Sequence, residues 1–100
     1  MRSDTLYLRI LERFRARVRE RRYVLTLHAL DELDEDALSV FDVEGAILTG
    51  EIIERQRDQT TRERKYLVRG QAVDGRRIVV VGKLGASNKL VVITAWVHHE

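Results

Sequence analysis

Residues 65–70 read KYLVRG, a lysine and an arginine four apart with a tyrosine between them. On an extended segment side chains alternate, so Lys65 and Arg69 share one face and Tyr66 takes the other. Two cations on one face suit the charge that develops on a phosphate attacked by a neighbouring 2′-hydroxyl. A metal-free ribonuclease then needs a group to take the hydroxyl proton and another to protonate the leaving oxygen. His28, set in the apolar run LTLHAL (25–30), and Tyr66 are the candidates for proton transfer. Arg55, Arg57, Arg62, Arg76, Arg77 and Lys83 extend the basic set toward RNA, provided that strand parity places them with Lys65. A structural reading competes with this one. Long cationic side chains on a solvated sheet cover apolar neighbours, and a histidine in an apolar run can hold a strand-to-helix corner by bonding backbone.

Other chemistries have less support. The chain has no cysteine, which removes thiol catalysis, disulfides and thiolate zinc sites and fits a reducing cytoplasm. His98 and His99 are adjacent and project to opposite sides of a strand, so no metal is expected there. Asp58, Glu63 and Lys65 form D-x4-E-x-K, a faint likeness to metal-dependent nucleases, but the first acid lies too near the second. GxSxG, Walker and GxGxxG motifs are absent, and no cofactor is expected.

One hundred residues make one domain with a single core. No apolar run approaches the ~20 residues that span a bilayer, and the mixed N-terminus MRSDTLYLRI does not read as a signal peptide. A cytoplasmic protein away from membranes is expected. The net charge of +2 hides an uneven distribution. Residues 1–22 carry eight arginines against Asp4, Glu12 and Glu20, a balance of +5. Residues 23–54 hold nine acids and no Lys or Arg, and residues 55–100 balance at +6. Such a chain can present an anion-seeking surface apart from an acidic one.

The positioning elements follow from periodicity. Tyr7, Ile10, Leu11, Phe14 and Val18 make the apolar stripe of a helix over 1–22, with Ser3 as its N-cap and arginines on the other faces. Between 23 and 50 the chain reads as a short strand YVLTL and two short helices. Ala29, Leu30, Leu33 and Ala37 form the apolar side of the first. Ser39 and Asp42 resemble a capping box that opens the second, and Gly50 stops it. From 51 to 97 four strands follow, EIIERQRD, RKYLVRGQAV, RRIVVVGKL and KLVVITAWV, with Asp74-Gly75 as a hairpin turn and DQTTRER as a mobile loop. The last two are apolar on both parities and so central. The expected fold is α+β: N-terminal helices packed on a four- to five-stranded, mainly antiparallel meander.

The ordered motifs "LTLHAL", "LSVFDVEGAILTGEIIERQRD", "KYLVRG" and "VVITAW" together resemble the uncharacterised family called domain of unknown function 4258, over about residues 23–97. The resemblance implies a fold similar to the RelE and MqsR ribonuclease toxins. It also implies the toxin component of a bacterial toxin–antitoxin pair, with an antitoxin protein and RNA as partners. His28, Asp58, Arg62, Tyr66 and Gly70 match the family pattern. An aromatic near Gln56 is missing, and VHHE stands where a proline usually follows the last strand. Three functions are therefore expected in turn: a metal-independent endoribonuclease; a non-catalytic module whose basic surface holds nucleic acid or an acidic protein; and a regulatory subunit pairing through its last strand. A C2 homodimer is the base-rate expectation for assembly.

Overall fold

Helix α1 (Arg2–Arg19) buries the expected stripe: Leu11, Phe14 and Val18 are fully covered, and Tyr7 and Ile10 partly so. The computed structural model describes residues 2–99, with side chains from Thr5 onward. The helix already includes Ser3, so Ser3 is not its N-cap; the side chains of Ser3 and Asp4 lie outside the described residues. Two arginines expected at solvent instead hold other elements. Arg15 donates from Nε to Ile47 O (3.0 Å) and from Nη2 to Gly50 O (3.0 Å). These are carbonyls at the end of α3 (Val40–Thr49), which have no partner within their own helix. Arg17 Nε donates to Asn88 O at 2.7 Å.

Strand β1 is shorter than YVLTL, ending at Leu25 (Tyr23–Leu25). Thr26 turns the chain instead. Its hydroxyl accepts the Ala29 N–H and donates to Ile93 O, capping α2 (Leu27–Glu35). That helix stops before Ala37, which adopts a left-handed conformation (φ 54°). Asp42 opens α3 as expected, accepting from Ser39 N at 2.7 Å and Ser39 Oγ at 3.3 Å.

The remaining strands are β2 (Glu51–Arg57), β3 (Arg64–Gln71), β4 (Arg77–Leu84) and β5 (Leu90–Val97). They form an antiparallel meander, and β1 joins its end beside β5 in parallel, giving the order β1-β5-β4-β3-β2. The protein is thus α+β with a five-stranded mixed sheet. Strand β5 has β4 along one side; along the other, β1 pairs with Leu90–Val92 and α2 packs against the strand. The 58–63 connection is an ordered turn. Asp58 Oδ1 accepts the N–H groups of Thr60 and Thr61, and Asp58 N–H donates to Glu63 O at 2.7 Å.

Helices α1 and α3 cover one face of the sheet over a core of Phe14, Val43, Ile47, Val68, Ile78, Val80, Leu90 and Val92. Gly70 marks the closest approach: a Cβ there would lie 2.1 Å from Ala46 O of α3. Gly50 has φ −97°, so its need is also for space, since a Cβ would meet Arg69 O at 2.3 Å. Among the described residues no helix lies on the opposite face.

Candidate functional site

The helix-free face holds the residues that could do chemistry. Its centre is a small apolar cluster of Leu67, Val79 and Val81, with Ile93 and Trp96 packed against it. Val79 is 2% exposed although none of the described helices covers it. Lys65 and Arg69 share the open face with Leu67, by alternation along β3. Arg77 and Lys83 share it with Val79 and Val81 on β4. Lys83 lies beside Lys65, one step past the Tyr66–Gly82 pair. Four cations thus frame an apolar strip: Lys65 and Lys83 at one end, Arg69 and Arg77 toward the other.

Acidic neighbours tune both ends. Lys83 Nζ contacts Glu63 Oε1 at 2.8 Å, and this bond, more than the one from the Thr61 hydroxyl, lowers the Glu63 pKa below the ordinary carboxylate range. The Asp58 pKa is lowered too, chiefly by the Thr61 and Thr60 N–H groups and least by Lys65. At the far end Arg69 Nη2 lies 3.4 Å from Glu51 Oε1. Glu51, Arg69, Gln71 and Arg77 line a polar cleft of about 390 Å³ there.

The other expected site residues are dispersed. Tyr66 lies in the core, 7% exposed, with the rings of Tyr7 and Phe14 edge-on to it at 6.5 and 6.0 Å. Its phenol is therefore on the opposite side of the sheet from Lys65 and Arg69. His28 is not a buried corner residue: it is exposed on the first turn of α2, its Nε2 3.4 Å from Glu32 Oε1. It sits at the β5 edge, and β3 is two strand spacings from β5, so at least ~10 Å separates His28 from the Lys65–Arg69 pair.

Arg55 and Arg57 fall on the helix-covered face. The extra residue Ile53 forms a bulge in β2, so that Arg55 pairs with Tyr66 instead of Lys65. Both side chains are exposed there. Arg76 is engaged structurally, donating to Asp36 O (2.8 Å), Ala37 O (3.0 Å) and Asp74 Oδ2 (2.8 Å), where it closes the end of α2. Arg62 is exposed in the 58–63 turn with φ 66°.

Two participants escape a reading of the sequence alone. Glu51 reads as the start of a strand, and only the register shows it opposite Arg69. Trp96 reads as core in an apolar run, and only a second bulge, at Ile93, places it on the open face. Among the described residues no helix is long and apolar enough to cross a membrane.

No curated protein matches the chain, and no solved structure does. The family model described as Domain of unknown function (DUF4258) matches residues 25–97, a span that contains the whole open face and leaves out α1. The chain therefore belongs to the DUF4258 family.

Proposed function

We propose that this chain is a toxin-like protein that binds RNA, with the open sheet face as its contact surface. The observation that carries the reading is the placement of Lys65, Arg69, Arg77 and Lys83 on one face around an apolar strip. Cations so grouped hold a phosphate backbone and release its counterions, so the affinity must fall steeply with salt. The toxin-like part of the proposal rests on the resemblance described above, and an antitoxin in that setting would be an acidic protein that masks the same cations.

The test is RNA binding by fluorescence anisotropy over a range of salt concentrations. For single strands the log–log slope reflects about 0.7 per phosphate contact, so Lys65→Ala with Lys83→Ala should flatten it by about 1.4. His28→Ala should leave it unchanged. A slope that ignores the lysine pair in a folded variant removes the open face from consideration.

Catalysis is the second reading, favoured by the Glu51–Arg69 pair beside Arg77 in the polar cleft. Glu51 there would accept the 2′-hydroxyl proton as the 2′-oxygen bonds phosphorus and the bond to the 5′-oxygen breaks, water protonating the leaving oxygen. The guanidinium groups of Arg69 and Arg77 would hold the charge on phosphate. Induced expression in a bacterial host, following growth and RNA integrity, separates the two readings. A metal-independent endoribonuclease fragments RNA and loses that activity in Glu51→Gln. A binding module leaves RNA intact.

A further inference from the structure

Trp96 occupies a position that its strand would deny it without an irregularity. Residues 90–92 of β5 pair in step with 84–82 of β4, and continuing that step would put Trp96 opposite Ile78, under the helices. The extra residue at Ile93 shifts the register, so Trp96 pairs with Val79 and joins the open face. A bulge that re-aims one side chain is a recurrent device at functional surfaces. The bulge brings the chain's single tryptophan to the open face, on the strand beside the cationic frame and level with its arginine end.

Its surroundings there are specific. Arg69, Val79 and Trp96 lie in one row across three strands, so the arginine and the indole flank Val79 about 10 Å apart. Arg77 is two residues from Val79 on the same strand and face. One side of the indole packs against the sealed Val79 cluster, and Trp96 as a whole is only partly buried. A flat aromatic surface beside two guanidinium groups matches a nucleotide: the base lies on the ring and the phosphate meets the cation. A duplex offers phosphates and groove edges but no base face, so a stacking surface selects unpaired strands.

We propose that Trp96 is a stacking platform for an unpaired base, which makes single-stranded RNA the ligand class of the open face. The inference rests on the RNA-binding reading above. Because Trp96 is the only tryptophan, its fluorescence reports the contact directly. The experiment titrates the full chain with a short single-stranded RNA and with the same sequence annealed to its complement. Intrinsic fluorescence is recorded beside the anisotropy of a labelled strand. The single strand should quench Trp96 and bind more tightly than the duplex. Trp96→Leu should weaken single-strand binding by roughly 5- to 100-fold, whereas Trp96→Phe, which keeps a ring, should retain most of it. Single-strand binding with unchanged tryptophan fluorescence and equal affinity for duplex overturns the platform and leaves the RNA-binding reading standing. Absence of binding to either probe removes both. Should Trp96→Leu fail to fold, the wild-type quenching and the Trp96→Phe affinity still decide the matter.

Discussion

Asp42 is the one charged residue among the described residues to be buried, and its carboxylate answers three donors. Besides Ser39 N and Oγ it accepts the Val73 N–H at 2.8 Å, tying the start of α3 to the β3–β4 turn. Asp42→Ala removes a helix cap and strands two backbone N–H groups. It should cost about 2 kcal/mol in urea unfolding, with Asp42→Asn recovering part of the loss. A second residue-scale effect belongs to high pH. The Tyr23 hydroxyl donates to Glu44, and burial first, that bond second, raise its pKa from 10.0 to about 12. The folded chain therefore favours the neutral phenol. That contribution is whole below pH 10 and is lost as the pH rises through about 12. Alkaline unfolding followed by circular dichroism should show the loss between those values in wild type and a smaller one in Tyr23→Phe.

At the scale of elements, the tightest joint is α3 on β3. Gly70→Ala would press a methyl carbon to 2.1 Å from the Ala46 carbonyl, a backbone atom that cannot swing aside. The helix must lift off, and a destabilisation of at least ~1–3 kcal/mol is expected; a midpoint equal to wild type would show that α3 shifts freely. The joint was readable only in part. Strand and helix spans follow from side-chain period, which local composition carries, and the four meander strands lie where alternation and Asp74-Gly75 place them. Parity is another matter. One inserted residue reverses every later side chain of a strand, and nothing in EIIERQRD or KLVVITAWV announces the bulges at Ile53 and Ile93. Hence Lys65 and Arg69 were legible as a pair, being on one unbroken strand. Arg55 and Arg57 were not legible as lying across the sheet from them, nor Trp96 as lying with them. The parallel pairing of β1 with β5 was equally hidden, since it joins segments about 65 residues apart.

At the scale of the molecule, the charge imbalance along the chain becomes a spatial one. Much of the acidic middle segment is spent internally. Glu32 Oε1 accepts from the Thr94 hydroxyl and from Ala95 N at 3.2 Å, and Asp36 Oδ2 receives Val97 N at 3.4 Å. The arginines of α1 divide likewise: Arg15 and Arg17 bind carbonyls, whereas Arg9, Arg13 and Arg19 remain exposed. The exposed three lie on α1, outside the residues that the family model matches. If they lend only long-range attraction to RNA, Arg9→Ala, Arg13→Ala and Arg19→Ala combined should slow association at low salt and leave dissociation unchanged in stopped-flow measurements. A change in dissociation would make them direct contacts.

The carboxylates of α2 have one more consequence. Among the described residues no strand flanks the outer side of β5 beyond Leu25, and the N–H groups of Ala95 and Val97 are met by Glu32 and Asp36 instead. Bare N–H groups on an apolar strand such as LVVITAWV are a template for intermolecular sheet growth. Helix α2 is thus a stopper built from acids, guarding an apolar strand of the chain. Glu32→Ala with Asp36→Ala should leave the secondary structure present but yield larger, concentration-dependent species in light scattering. A double variant that stays the size of wild type would show that the bulk of the helix alone keeps other chains away.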